Sequence, residues 1–352
     1  MAIRRPRGNT QSARRPQHGV REKPVPSVRI GRSGRVAALS TLELENKWLK
    51  LRILPGVGAK IYDLIWKPSG RNILWHNPRI APQSFPIESE FDNYWCGGWD
   101  DAFPTCDECS FRGQRYPSLG ELRSLRWNVD STLRRGGNAV AQLSAFGPIS
   151  PVKAVKTVTL EGHSPVVRMH YRISNLGPTS VDFLWGTHPA VAITEHTILR
   201  IPAKRGIVAQ CNQPGWGEAG QRYNWPILET AAGRVEMNKV QGIEANLCFG
   251  HYAIDLEDGW YAIEDASSGE GFLLQFPLEQ CPSLWLWLNY GGWRGLHHVI
   301  LEPWTGIPVN LAQAYEQKTS RSLKPGEEFV VEIGATVYRR PETWEDALER
   351  LR

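Results

Sequence analysis

The sequence predicts an all-β fold, a large antiparallel β-sandwich with one short C-terminal helix, and three observations carry that reading. From about residue 36 the chain breaks into short apolar or alternating runs dominated by Val, Ile, Thr and aromatic residues, the composition of half-buried strands. Turn-forming Gly, Pro, Asn and Asp interrupt the runs about every ten residues, a spacing that suits hairpins rather than βαβ units. Only "RPETWEDALERLR" at the C-terminus reads as a helix, with Pro341 opening it and acids early in it.

Taken in order, "WLKLRILPGVGAKIYDLIW" (48–66) gives two strands around a Pro-Gly turn, and "SLRWNVDSTLRR" (124–135) alternates as a strand should. "AVKTVTLEGHSPVVRMHYRISNLG" (154–177) is a strand pair joined at "LEGHSPVV", and "SNLGPTSV" is a second hairpin connection leading into "VDFLWGTHPAVAI" (181–193). "GFLLQF" (271–276), "LWLWLNY" (284–290) and "EEFVVEIGATVYR" (327–339) complete the set. No repeat with a period of 20–50 residues appears, and no Pro/Ser linker divides residues 36–338, so residues 36–352 are expected to form a single domain.

The chain has 352 residues, 41% of them hydrophobic and 22% charged, with 15 Trp against 3 Met. No apolar run approaches the roughly 18 residues of a membrane span. The net charge of +5 is misleading: residues 1–35 hold ten Arg or Lys and one acid, which leaves the remainder at −4. That Arg/Pro/Gln-rich opening has too little apolar surface to offset its ordering entropy, so residues 1–35 are expected to be a disordered basic tail. It also lacks the apolar stretch of a secretory signal, which points to the cytoplasm. Nucleic-acid binding would rest on this tail alone and is not expected. Six cysteines without an export signal suggest reduced thiols. The C-x-x-C at Cys106 and Cys109 has no second pair to complete a zinc site and no βαβ context for redox work, so no metal or cofactor is expected.

No G-x-S-x-G elbow, P-loop, H-E-x-x-H or dinucleotide fingerprint is present. Polar residues embedded in aromatic strings stand out instead. "FDNYWCGGWDDAFPT" (91–105) holds Trp95, Trp99, Asp100 and Asp101; "FLWGTHPAVAI" (183–193) holds His188; "LWLWLNYGGWRGLHHVILEPWTG" (284–306) holds Asn289, Trp293, Arg294, His297, His298 and Glu302. Flat aromatic faces beside a few convergent polar groups are what a sugar cleft requires, since the rings stack and the hydroxyls take hydrogen bonds. Glu302 lies in a strand that reads as buried, where a carboxylate is costly without a purpose. Pro189 is expected to end its strand and leave His188 facing a cleft.

The order of these pieces resembles the aldose 1-epimerase, or galactose mutarotase-like, superfamily across roughly residues 40–335. "LRILPGVGAKIYDLIWKPSGRNILWHN" is similar to its opening strands, "GTHPAVAI" to its strand-end His-Pro motif, and "VILEPWTGIP" to its C-terminal glutamate motif. The resemblance implies a large antiparallel sandwich that interconverts the anomers of free aldoses without a cofactor. It implies Glu302 as base and His188 as acid, separated by about the width of a sugar ring. Arg79, Trp95, Trp99, Asp100, Asp101, Arg123, Asn289 and Trp293 are the residues expected to bind substrate. The chain departs from the family at "YPSLGELRSLRW" (116–127), where Leu119 occupies the place of a second histidine that helps bind and polarise the sugar near its ring oxygen.

The expected function is therefore that of a sugar-processing isomerase of the mutarotase type, monomeric or weakly dimeric, whose partner is a small-molecule sugar. A non-catalytic carbohydrate-binding or sensing protein with the same cleft is the alternative, favoured by Leu119 as the first is favoured by His188 and Glu302. Polysaccharide lyase or hydrolase chemistry is a third reading, weakened by the lack of an export signal and of a catalytic helical domain.

Overall fold

Strand alternation shows directly in the strand Ser283–Tyr290. Leu284, Leu286 and Leu288 are fully buried in the main core, while Trp285 and Trp287 project from the opposite face. The same period-2 division holds along His297–Trp304, where Val299 and Leu301 enter that core and Ile300 and Trp304 pack on the other side. The computed structural model describes residue 1, residues 28–231 and residues 233–352.

Two large antiparallel sheets enclose the main core. The first, of 12 strands, runs in spatial order Arg29–Val36, Leu39–Glu45, Leu49–Leu54, Lys60–Trp66, Trp99–Ala102, Gly186–Val191, His297–Trp304, Ser283–Tyr290, Leu247–Leu256, Ala203–Cys211 and Arg222–Asn224, with Arg71–Asn72 added beside Lys60–Trp66. The second, of 8 strands, runs Thr197–Arg200, Trp260–Asp265, Glu270–Gln275, Glu328–Arg339, Val166–Asn175, Val152–Leu160, Asn138–Phe146 and Asn128–Arg135. Their facing sides supply one continuous apolar cluster that includes Leu51, Leu143, Met169, Phe249, Leu274, Leu301 and Ile333. Burial of that face holds the sandwich together and fixes strand register, because a one-residue slip would turn every leucine outward.

At the centre of the first sheet, three strands far apart in sequence lie side by side: Trp99–Ala102, Gly186–Val191 and His297–Trp304. This juxtaposition builds the site described below.

Several expectations are revised. The strand Arg29–Val36 pairs with Leu39–Glu45, so residues 29–35, read above as part of the tail, belong to the folded body. Residues 2–27 of that tail lie outside the described residues. The C-terminal helix spans Trp344–Leu351 and begins later than Pro341. Thr343 caps it in a reciprocal box with Asp346, leaving the proline two residues ahead of the cap. Ala347, Leu348 and Leu351 pack it on the outer face of the second sheet against Val166, Leu273 and Tyr338, and Trp344 stacks on Trp260 with ring centroids 4.5 Å apart. Two further short helices, Phe91–Tyr94 and Leu311–Glu316, were not legible in the strand pattern. Among the described residues, no helix is long and apolar enough to cross a membrane.

Candidate functional site

On the face of the 12-stranded sheet turned away from the main core, residues from neighbouring strands line up across the ladder. Gly186 pairs with Trp304 and Ala190 with Ile300, a register that sets His188 opposite Glu302. His188 in turn pairs with Asp100, and Glu302 with Trp285. The result is a transverse row of Asp100, His188, Glu302 and Trp285 on one face of four adjacent strands. Pro189 does not end its strand as expected. It lies inside Gly186–Val191, paired with Trp99, and the ladder towards the Glu302 strand resumes at Ala190. A missing N–H is tolerated here because only that one edge of the strand loses hydrogen bonds.

Glycines shape the row. A side chain at Gly186 would lie 2.5 Å from the indole of Trp304, so only glycine lets that ring cover the strand. Trp304 uses this position to donate its Nε1–H to Glu302 Oε2 at 3.1 Å. At Gly250 an added Cβ would come within 2.6 Å of the Trp285 ring.

The row forms part of the floor of a cavity of about 200 Å³. The sheet contributes His188, Ile300, Glu302, Trp285, Trp287 and Gln210. Phe91, Asp92, Trp95, Cys106, Asp107, Ser118, Leu119 and Trp293 complete the lining. The helix Phe91–Tyr94 turns Phe91 over this floor. Trp95 then stands edge-on to the His188 ring, with centroids 5.6 Å apart and planes at 84°.

His188 Nε2 lies 3.7 Å from Glu302 Oε1, closer than the sugar-ring separation expected, and both side chains are nearly sealed from solvent. Burial dominates their ionisation. It lowers the His188 imidazole to about 4, a shift that the Asp100 carboxylate opposes and the Lys60 ammonium reinforces. Burial also raises the Glu302 carboxyl well above its ordinary value. The Trp304 hydrogen bond opposes that rise, and the carboxylates of Asp107 and Asp100 add to it. Desolvation thus favours a neutral carboxyl at Glu302 and a neutral imidazole at His188, the opposite tendency to the charged base and acid that the family resemblance implies. Among the described residues, His188 Nδ1 has no hydrogen-bond partner.

The residues expected to bind substrate separate into three groups. Trp95 and Trp293 line the cavity. Asp100, Arg123 and Asn289 support it from behind. Asp100 Oδ2 lies 3.0 Å from Lys60 Nζ and accepts from Trp95 Nε1 at 3.3 Å, so a buried ion pair sets the indole's orientation. Arg123 donates to the carbonyls of Ser118 and Ser89 at 2.6 and 2.9 Å, holding two wall segments together. Asn289 brackets the loop at Trp293 through that residue's N–H and carbonyl at 3.0 and 3.1 Å. The third group is placed elsewhere. Trp99 and Asp101 point to the opposite face of the sheet, because they alternate with Asp100: Trp99 is in the main core, and Asp101 pairs with the buried Lys156 at 2.7 Å and accepts from Tyr171 at 2.7 Å. Arg79 lies at the periphery, with Nη1 donating to the Arg294 carbonyl at 2.5 Å.

Trp285, Trp287, Gln210, Phe91 and Asp107 were missed as lining residues. The alternation in "LWLWLNY" contains the signal for the two tryptophans, since a strand with one leucine face presents the indoles together on the other. Asp107 carried no signal beyond its place in the C-x-x-C segment, whose cysteines are both free thiols. His298 also lies on this face, two residues before Ile300. It is enclosed by Trp75, Trp95 and Trp293, and among the described residues neither ring nitrogen has a partner. Among the described residues, no three His, Cys, Asp or Glu side chains group as metal ligands.

No family model and no curated protein matches the chain. Solved structures do. A protein from Synechocystis sp. PCC 6803 superposes with a TM-score of 0.64 at 20% identity, covering 88% of this chain and 99% of its own. A putative aldose 1-epimerase from Klebsiella pneumoniae superposes with a TM-score of 0.70 at 14% identity, over 88% and 82% of the two chains. A galactose mutarotase related enzyme from Lactobacillus acidophilus gives 0.59 at 16% identity, over 85% and 97%. At these identities the likeness establishes the fold.

Proposed function

We propose that this protein, with the fold of galactose mutarotase-like proteins, interconverts the anomers of an aldose or sugar derivative by general acid/base catalysis at His188 and Glu302. The observation that carries the reading is the pair itself: an imidazole and a carboxyl 3.7 Å apart in a tryptophan-walled cavity. Ring opening needs a base for the anomeric hydroxyl proton and an acid for the ring oxygen. The imidazole of His188 takes the first proton and the carboxyl of Glu302 supplies the second; the C1–O5 bond breaks as the C1 carbonyl forms. Rotation about C1–C2 and the reverse transfers close the other anomer and restore both groups. Trp285, Trp287 and Trp293 supply the apolar faces for the ring.

One observation favours the second reading, a sugar-binding protein without turnover. Leu119 lines the cavity and contributes no polar group where a donor to the ring oxygen would be useful. The deciding experiment is anomer exchange over a panel of aldoses, followed by NMR with buffer rates subtracted. Exchange abolished by Glu302→Gln while binding persists supports the enzyme. Binding without exchange above buffer supports the second reading.

A further inference from the structure

We infer that the ligand of this cavity carries a positive charge, and that within the reading above the substrate is an aldose bearing a free ammonium group rather than a neutral sugar, a sugar acid or a sugar phosphate. The inference rests on that reading and narrows it. The carboxyl groups lining the cavity are those of Asp92, Asp107 and the desolvated Glu302, with no Lys or Arg among the lining residues. The nearby guanidinium groups already have partners. Arg123 is bound to the Ser118 and Ser89 carbonyls, and Arg294 pairs with Asp92 at 3.1 Å. An anionic substituent would find no cation to receive it and would face carboxylates.

Asp107 is the acid left unengaged. Among the described residues no hydrogen bond or ion pair reaches its side chain, and it is exposed to the cavity. The cavity it lines also holds Trp285, Trp287, Trp293 and Trp95. Indole faces attract a cation held within about 6 Å of the ring, and aromatic walls closed by a carboxylate are the chemistry by which proteins hold ammonium groups. His188, nearly buried in the cavity lining, has an Nδ1 without a hydrogen-bond partner among the described residues.

The test compares D-glucosamine and D-galactosamine with their neutral parents, their N-acetyl derivatives and the 6-phosphates. Binding is read by calorimetry and exchange by NMR, on the full chain and on Asp107→Asn. At least tenfold tighter binding of the amines, lost on N-acetylation and lost as a ratio in Asp107→Asn, is expected. Neutral or phosphorylated sugars binding as well as the amines overturns the inference and leaves the anomerase reading standing, as does an amine preference that survives Asp107→Asn. Binding of choline but of no sugar supports a cation site and overturns the sugar reading. Binding of none of these probes overturns both.

Discussion

His188 and Glu302 face each other across adjacent antiparallel strands, Nε2 to Oε1 at 3.7 Å, although 113 residues of sequence separate them. Both are buried, and desolvation disfavours the charged form of each, lowering His188 to about 4 and raising Glu302. A pair so placed exchanges one proton with a ligand at little electrostatic cost, since neither group must carry its charge into the apolar surroundings beforehand.

Glu302→Gln keeps the shape and an oxygen for Trp304 but removes the transferable proton. Anomer exchange is expected to fall by roughly 10²–10⁴, with sugar binding retained. The same variant reports on ionisation. Because the folded pKa of Glu302 lies above that of the unfolded chain, its contribution to stability is present below the unfolded value and is lost as pH rises. The melting temperature of the variant should therefore gain on wild type between pH 5 and pH 8, taken as rough limits around the ordinary carboxyl and imidazole values.

On the acid side the sign reverses. Burial lowers His188 to about 4, and His251 and His298 to about 3, so the unfolded chain takes up protons first as pH falls below about 6.5. Stability should drop steadily from there to about pH 4. His298→Gln should make that limb of the Tm–pH curve shallower whatever its effect on Tm at neutrality. An unchanged slope would show that His298 is not buried as a neutral ring.

Leu119 has a backbone φ of 57°, a left-handed conformation in which branched apolar residues are rare and His is enriched several-fold. Leu119→His should fold as well as wild type and place an imidazole in the cavity wall. Anomer exchange is expected to rise at least tenfold. Equal rates with intact sugar binding would mean that the cavity works without a donor at this position.

Gly250→Ala introduces a Cβ that would lie 2.6 Å from the Trp285 ring and 2.8 Å from Gln210 Cγ. Both side chains would be driven towards the cavity, at a cost of about 1–3 kcal/mol for overpacking. Ligand affinity should fall tenfold or more while the protein still unfolds cooperatively, as calorimetry alongside a thermal melt would show.

Asp101 and Asp100 are neighbours with opposite duties. Asp101→Ala strands the fully buried Lys156 ammonium without its partner, and a loss of about 3–5 kcal/mol is expected from denaturant titration. Asp100→Asn should instead disturb the site, because the Trp95 indole takes its orientation from that carboxylate. The expected signature is weaker sugar binding and a shifted pH profile of exchange.

The alternating runs, the turn residues between them and the shortage of helix pattern determined the all-β class, because period-2 burial is a local property of each strand. The leucine–tryptophan alternation in Ser283–Tyr290 likewise carried the division between core and cavity faces. Motif order was enough to single out His188 and Glu302, which line one cavity. Only the tertiary structure decided the rest. Asp100, Asp101 and Trp99 are adjacent in sequence yet divided between two faces of a sheet, and which parity faces the cavity depends on register with the Gly186–Val191 strand. Asp107 and Gln210 reach the cavity through loop and sheet packing that no local pattern encodes. The protonation of His188 and Glu302 depends on burial by segments distant in the chain, because desolvation is a property of the whole enclosure and not of the residues themselves.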